Sequence, residues 1–280
     1  MLARRASLAI ASVAAVAAAC SLADLSGLSD GALPADPAVE AGPPAVIDGA
    51  VPDGVIPVDA GTSDAAPKGF CEAAGPHTLC DDFDTTADPG WTSFETFGGG
   101  SGARDLGVFA SPPASYAVKT PMVSPDGGEA WMFPVRAIPI ATKHVHLEAK
   151  VQACAIVGNY VFLSINNNAT TYGTIDFGTR PTANGAETFM VIRHDGLSKD
   201  FKLGPALPST RFASVVIDTD IDKTSGSVKL SIDGAVVVDA TNLPTDQAAP
   251  VTRRSVFAGL YAYGSPACSA RIDDVIVDAN

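Results

Sequence analysis

The segment RFASVVID spans residues 211–218, and the segment GSVKLSIDGAVVV follows a polar turn at residues 226–238. In both segments apolar, mostly β-branched residues alternate with polar ones, which is the pattern of half-buried β-strands. Asp233-Gly234 interrupts the second segment, and this pair suits a two-residue hairpin turn that needs positive φ. The stretch therefore predicts three successive antiparallel strands.

Similar short runs, bounded by Gly, Pro, Asn and Asp, recur through the rest of the chain. No window repeats apolar residues at helical spacing over three turns. The other strands are predicted at 129–135, 143–155, 158–166, 171–177, 186–194, 255–263 and 270–278, with weaker ones at 81–84, 91–97, 104–109 and 115–119. So many strands without intervening helices cannot form a parallel sheet. The predicted fold class is an all-β, two-sheet antiparallel sandwich.

Three segments carry a family resemblance. The hairpins at 211–238 resemble those late in laminin G-like and concanavalin A-like lectin/glucanase domains. RIDDVIV at 271–277 is similar to the last strand of that fold, and DDFD at 81–84 is similar to its opening strand. The resemblance covers about residues 78–278. It implies a jelly roll whose first and last strands are neighbours, and it says little about chemistry.

Residues 1–20 have the order of a secretory signal peptide. Two arginines at 4–5 precede an apolar run over 8–19 that is too short to span a bilayer. Cys20 follows three alanines, which resembles the lipobox of bacterial lipoproteins, although Ala17 replaces the usual larger aliphatic residue. The resemblance implies that Cys20 is acylated and anchors the chain in the lipid bilayer. Ser21, where that family often has aspartate, implies the outer membrane of the cell envelope. An ordinary cleaved signal peptide is the alternative.

Residues 21–69 have the composition of a linker. They contain no aromatic residue, seven prolines, and eight acidic residues against one lysine. Such a segment cannot bury enough apolar surface to offset the entropy of ordering, so we expect it to be disordered. The predicted organisation is a signal peptide (1–20), a disordered linker (21–69) and one jelly-roll domain (70–280).

The predicted domain is acidic, with a net charge of −8 over residues 70–280. A nucleic acid or an anionic membrane surface would require a basic footprint, so neither is expected as a partner. The length suits one sandwich, which we expect to be monomeric.

Four cysteines remain after Cys20: Cys71, Cys80, Cys154 and Cys268. An even number in an exported chain indicates disulfides, with three connectivities open. We favour the pairs Cys71–Cys80 and Cys154–Cys268. A four-cysteine metal site is less favoured because the spacing provides no C-x₂-C pair.

The catalytic motifs of the resembled family are missing. Its glucanase branch carries Glu-x-Asp-x-x-Glu, and a retaining mechanism needs two carboxyls about 5 Å apart. The five glutamates of residues 70–280 lie on separate segments. The Arg-rich and Gln-x-His strands of the alginate-lyase branch are also absent. We therefore expect a non-catalytic binding domain, with a polysaccharide ligand as the first choice. A hydrolase or lyase, and a structural or adhesion domain that binds protein, are the alternatives.

The strand at 143–155 places alternate polar side chains on one face, beginning with His144 and His146. This face is either the water side of the strand or the floor of a sugar-binding groove. Sugars stack on aromatic rings and hydrogen-bond to amides, carboxylates and guanidinium groups. Whether the candidates share one face is left open by the sequence. The predicted ligand-binding residues are His146, Glu148, Tyr160, Asn166, Tyr172, Asp176 and Arg193.

Metal sites are predicted only by resemblance. Some lectin/glucanase domains hold a structural calcium ion with a last-strand aspartate and groups of the first strand, which implies Asp273 with Asp82 or Asp84. No other cofactor is expected. The aspartates at 218, 220 and 222 lack the glycine and glutamate of an EF-hand loop, and a solvated turn is favoured there. The pair His144 and His146 has no obvious third ligand.

Overall fold

A computed structural model describes residues 69–85, 90–169 and 171–280. The predicted signal peptide, Cys20 and the linker up to residue 68 lie outside these residues. The described part of the chain contains no helix with the length and hydrophobicity of a membrane span. Its elements are α1 (Phe70–Ala74), β1 (Leu79–Asp81), β2 (Ser93–Phe97), β3 (Ser101–Asp105), β4 (Ser115–Thr120), β5 (Glu129–Ile138), β6 (His144–Gln152), β7 (Asn159–Asn168), β8 (Thr174–Thr182), β9 (Gly185–His194), β10 (Leu197–Pro205), β11 (Ala213–Asp220), β12 (Gly226–Ile232), β13 (Ala235–Leu243), β14 (Arg253–Tyr263) and β15 (Cys268–Ala279).

The strands form two antiparallel sheets. The eight-stranded sheet has the order β13-β12-β11-β6-β15-β4-β3, and β1 also pairs with β15. The seven-stranded sheet has the order β10-β9-β8-β7-β14-β5-β2. β1 pairs with β15 through Leu79–Val277 and Asp81–Val275, so the first and last strands are neighbours. The predicted two-sheet jelly roll is confirmed.

Period-two burial produces the core between the sheets. On β6, Val145, Leu147, Ala149 and Val151 are all fully buried, while the polar residues between them face outward. Side chains from β7, β8 and β14 fill the same core from the seven-stranded sheet. Burying apolar surface in this way stabilises a fold by roughly 25 cal/mol per Å². The alternation therefore determines which side chains reach the two outer surfaces.

The predicted hairpins at 211–238 are present as β11, β12 and β13. Asp233 and Gly234 both adopt positive φ, 49° and 78°, as a two-residue turn between twisted strands requires.

The opening strand covers 79–81 instead of the expected 81–84. Phe83 has a φ of 55°, which is incompatible with an extended strand. The Asp81 carboxylate accepts a hydrogen bond from the Phe83 N–H, and the Asp82 carboxylate accepts one from the Asp84 N–H. Asx-type turns therefore end the strand at Asp81.

The short helix α1 and the strand β10 were not predicted. β10, with the sequence LSKDFKLGP, lies at one edge of the seven-stranded sheet, and most of its residues are exposed. Its apolar alternation is short, since Phe201 and Leu203 are partly buried but Lys199 interrupts the same face, as charges often do on edge strands.

Two disulfides brace the sandwich, in the pairs favoured from the sequence. Cys71 in α1 bonds to Cys80 in β1 across a Cα–Cα distance of 5.6 Å. Cys154, which follows β6, bonds to Cys268 at the start of β15 across 5.5 Å. The first disulfide joins α1 to the sheet. The second closes a much longer loop, so it lowers the conformational entropy of the unfolded chain more than the first does.

A buried carboxylate anchors the end of β1. Asp81 is 7% exposed, and the Trp91 indole N–H donates to its Oδ2 atom across 2.6 Å. Burial raises the pKa of Asp81 from 3.8 to about 6, against the opposing effect of these hydrogen bonds. Burial likewise raises the pKa of Asp273 on β15 to about 7.

These raised pKa values predict that the fold becomes less stable as the pH rises from about 4 to 7. In that range the folded chain retains protons that the unfolded chain has released, so the free energy of unfolding falls. Asp81 alone accounts for about 2–3 kcal/mol, and its contribution levels off above its folded pKa. Urea denaturation at pH 4.5, 6 and 7.5 measures the trend, and Asp81→Asn should reduce its slope while the contribution of Asp273 remains. A wild-type free energy of unfolding that increases over this range would contradict the assignment.

Candidate functional site

The predicted ligand-binding residues lie on both sheets and do not form one groove. His146 and Glu148 are on β6 of the eight-stranded sheet. Asn166, Asp176 and Arg193 are on β7, β8 and β9 of the seven-stranded sheet. The outer surfaces of the two sheets face away from each other because the core lies between them. The question that the sequence left open is therefore answered: His146 and Glu148 do not share a face with Asn166, Asp176 and Arg193.

Tyr160 is also corrected, since it lies in the core with 1% of its surface exposed. Its hydroxyl donates to the Pro266 carbonyl across 3.0 Å. Pairing of β7 with β8 shifts register between Val161 and Leu163, so the residues on either side of this bulge cannot be assigned to faces by simple alternation. Tyr172 precedes β8 and is 78% exposed, outside any sheet.

The polar side chains of β6 already have partners within the protein. The His146 Nδ1 atom lies 2.7 Å from the Asp218 carboxylate, and the His144 Nδ1 atom lies 3.0 Å from the Asp220 carboxylate. Glu148 lies 3.9 Å from a lysine ammonium of the same strand. The carboxylates of β11 therefore already occupy one nitrogen of each imidazole. This arrangement matches the water-side alternative for β6.

The three residues implied as calcium ligands are not arranged as a set. Asp273 Oδ2 accepts hydrogen bonds from the backbone N–H groups of Ala110 and Ser111, and its Oδ1 accepts one from the next residue, Asp274. Burial raises the pKa of the Asp84 carboxyl, and the nearby carboxylates of Asp82 and Asp274 raise it further. Among the described residues no group of three or more His, Cys, Asp or Glu is placed to hold a metal ion. A calcium ion bound by Asp273 with Asp82 or Asp84 stays a prediction.

Five aromatic rings cover one half of the outer face of the seven-stranded sheet. Phe97, Trp131 and Tyr261 lie directly opposite one another on β2, β5 and β14. Their ring centroids are 4.4 Å and 5.9 Å apart, with interplanar angles of 19° and 23°. Phe133 and Phe257 stack at 4.4 Å, and Phe133 lies 6.2 Å from Trp131. We call these five residues the aromatic ladder.

Local sequence explains the ladder. On β5, Trp131 and Phe133 are two residues apart and so share a face. On β14, Gly259 stands between the outward-facing Phe257 and Tyr261. A Cβ atom at Gly259 would lie only 2.5 Å from the Phe133 Cβ, so a side chain there would displace Phe133. The glycine provides the space in which Phe133 approaches Phe257.

The other half of this face carries an ion pair supported by hydroxyl groups. The Arg193 guanidinium donates to Asp176 Oδ2, which also accepts from the Thr174 hydroxyl across 2.8 Å. The Ser164 hydroxyl donates to Asp176 Oδ1 across 2.6 Å. The side chain of Asp176 is 8% exposed, whereas that of Arg193 is 48% exposed. Asn166 lies in register with Thr174, which in turn lies opposite Arg193.

β7 separates the two halves and carries smaller outward side chains. Val161 lies opposite Tyr261, and Ser164 lies opposite both Phe257 and Asp176. Since adjacent strands are about 4.8 Å apart, the backbones of β14 and β8 are about 10 Å apart. The short side chains of β7 therefore lie between a wall of aromatic rings and a wall of charged groups. We call this feature the β7 trough.

Tyr261 connects the two walls electrostatically. Burial raises the pKa of its hydroxyl well above the ordinary value, and hydrogen bonding to Glu129 raises it further. Arg193 and Asp176 are close enough to act on the same hydroxyl with opposite signs. Tyr261 is therefore a protonated donor at neutral pH.

The structure brings together three of the residues predicted from sequence, Asn166, Asp176 and Arg193. Sequence reasoning missed the aromatic ladder. Two of its five residues, Trp131 and Phe133, could have been found, because aromatic residues two apart in a predicted strand share a face. The sequence analysis assigned that segment only as a strand. The two best-formed depressions among the described residues lie elsewhere, one of about 470 Å³ beside Lys150 and Arg211 and one of about 410 Å³ between β10 and β13. The β7 trough differs from these depressions: in its floor Val161 is partly exposed and Ser164 is fully buried.

No protein-family model matches the chain, and no curated protein matches it. Among solved structures, an endo-β-1,4-glucuronan lyase from the fungus Trichoderma reesei is similar with a TM-score of 0.56 and 12% identity, over 73% of this chain and 96% of that one. A non-specific endo-β-1,3(4)-glucanase has a TM-score of 0.48 and 12% identity, over 72% and 90% of the two chains. The first likeness shows the fold alone, a two-sheet antiparallel jelly roll, and the second adds no argument.

The core position of Tyr160 predicts a stability effect without a binding effect. Tyr160→Phe retains the ring and loses the hydrogen bond to the Pro266 carbonyl, so the free energy of unfolding should fall by about 1 kcal/mol. Urea denaturation measures this change, and a glycan-binding assay on the same variant should show none. Unchanged stability with lost binding would return Tyr160 to the ligand site.

Proposed function

We propose that the chain is a non-catalytic carbohydrate-binding protein and that its ligand lies in the β7 trough. The observation that carries this proposal is the position of the aromatic ladder across β7 from the pair Asp176–Arg193. The predicted domain boundaries, with the binding domain at 70–280, are part of the same proposal.

The two walls offer the two kinds of contact that sugars use. Trp131 lies between Phe97 and Tyr261, so its faces are directed toward neighbouring rings. Tyr261 ends this row. On the side away from Trp131 its cross-strand neighbour is Val161 of β7, whose side chain is small. A pyranose ring can place its apolar face on Tyr261 while Arg193 and Asn166 hydrogen-bond its hydroxyls.

Binding is favoured over hydrolysis because the carboxylates beside the trough already have partners. Asp176 accepts hydrogen bonds from Ser164, Thr174 and Arg193. Glu129 is hydrogen-bonded to Tyr261. A retaining glycosidase needs one carboxyl as nucleophile and a second as acid, and these groups are committed elsewhere.

Lyase chemistry is less favoured for a related reason. Proton abstraction by a tyrosine requires its deprotonated form, and the raised pKa of Tyr261 opposes that form. The fold itself does not decide the matter, since one fold supports many functions. A polysaccharide hydrolase or lyase remains the alternative, and a domain that binds protein is a further one.

Removing the free aromatic face should weaken glycan binding. Tyr261→Ala should reduce affinity about tenfold or more, because both the stacking surface and the hydroxyl beside Arg193 are lost. A glycan array with residues 70–280 identifies a ligand, and calorimetry on that ligand measures the loss.

His146→Ala is the matched control, since His146 is a partly exposed aromatic side chain on the opposite sheet. It should bind glycan as the wild type does. Equal losses for the two variants, or release of shortened polysaccharide by the wild type, would contradict a non-catalytic site in the β7 trough.

We also infer that the chain is a lipoprotein of the cell envelope, held in the outer membrane by acylated Cys20 and separated from it by the linker at 21–69. The support is the order of basic, apolar and small residues before Cys20.

Replacement of the acylated residue provides the test of this anchor. In the full chain, Cys20→Ser should move the protein from the membrane fraction to the soluble fraction, as followed by fractionation of cells. Metabolic labelling with a fatty acid should be lost at the same time. A variant that stays in the membrane fraction and still carries label would contradict the assignment.

A further inference from the structure

We propose that the β7 trough selects uncharged glycans and discriminates against uronate or sulfated polymers. This inference rests on the proposed function and specifies the ligand class of the same site.

The cation that faces the trough is already compensated. Arg193 forms an ion pair with Asp176, and this carboxylate is itself fixed by the hydroxyls of Ser164 and Thr174. Both hydroxyl groups donate to the carboxylate and fix its orientation beside Arg193. The polar wall therefore presents a pair of opposite charges with no net charge to attract an anion.

Other guanidinium groups on the outer face of the seven-stranded sheet are compensated in the same way. The Arg180 Nε atom lies 2.7 Å from Glu187, and its Nη1 atom lies 2.6 Å from Asp200. On the aromatic side, Arg253 lies 2.8 Å from Glu95. These three sites pair each arginine with at least one carboxylate.

The energetics of anion recognition follow from this pairing. A uronate carboxylate bound to the exposed Arg193 guanidinium would also lie near Asp176, which Arg193 contacts directly, so repulsion from Asp176 would offset part of its attraction to the cation. The domain as a whole carries −8, which also opposes the approach of a polyanion. A neutral sugar meets no such opposition, since its hydroxyls accept hydrogen bonds from the exposed Arg193 guanidinium without bringing a negative charge near Asp176.

The test uses polysaccharides in matched pairs, each neutral polymer beside its carboxymethylated derivative, on residues 70–280 at low ionic strength. The wild type should bind the neutral member of a pair at least tenfold more tightly than the charged member. Asp176→Asn releases Arg193 from its counter-charge, so the ratio of charged to neutral affinity should rise at least tenfold. The gained affinity should fall with added salt.

Asp200→Asn is the matched control. It removes one carboxylate from Arg180, which keeps Glu187, and it lies on the edge strand β10 away from the trough. Its selectivity should equal that of the wild type. Circular dichroism verifies the fold of both variants, and if Asp176→Asn does not fold, the wild-type ratio decides alone.

The outcomes separate the two proposals. A wild type that prefers the charged member of the pairs overturns the selectivity and leaves carbohydrate binding intact. A folded Asp176→Asn variant with unchanged selectivity overturns the role of the ion pair. Absence of binding to both members of all pairs overturns the proposed function, and the selectivity falls with it.

Discussion

The apolar faces of β6, β11 and β15 pack against those of β7, β8 and β14, and this burial determines every other feature of the molecule. Away from bulges such as the one in β7, side chains alternate along each of these strands, so a residue whose neighbours enter the core must face outward. Trp131, Phe133 and Tyr261 are outward for this reason, and so is Asp176. Packing in the core therefore determines which side chains form the outer surface. A shift of one residue in register would turn the core side chains outward and the surface side chains inward.

Strands with clean alternation could be predicted from the sequence, and the assignment of strands to sheets could not. β6 and β11 follow the period-two rule along their whole length, and their bounds agree with expectation within a few residues. β6 and β7 are consecutive in the chain but lie in different sheets, and nothing in local sequence reports that crossing. The sequence therefore identified only part of the candidate site. Asn166, Asp176 and Arg193 belong together, whereas the pairing of Trp131 with Tyr261 arises from contacts across the sheet that only the topology reveals.

Both walls of the β7 trough are organised before any ligand arrives. The aromatic rings support one another, and Asp176 is held by groups from its own strand and from both neighbouring strands. A site whose side chains are already held in place loses little side-chain entropy on binding. More of the free energy of each contact with the ligand therefore contributes to affinity. The same rigidity limits adaptation, which favours one shape of ligand over many.

The disulfide between Cys71 and Cys80 also has a mechanical consequence. A pulling force applied to the chain at Gly69 reaches Cys71 after two residues, and the shorter covalent path then crosses the sulfur bridge directly into β1. Residues 72–79 are bypassed and bear no load. The tension is delivered to the three-residue ladder that joins β1 to β15, a strand in the interior of the eight-stranded sheet. Any tension exerted through the preceding segment is therefore resisted by the sheet, and α1 cannot be peeled away first.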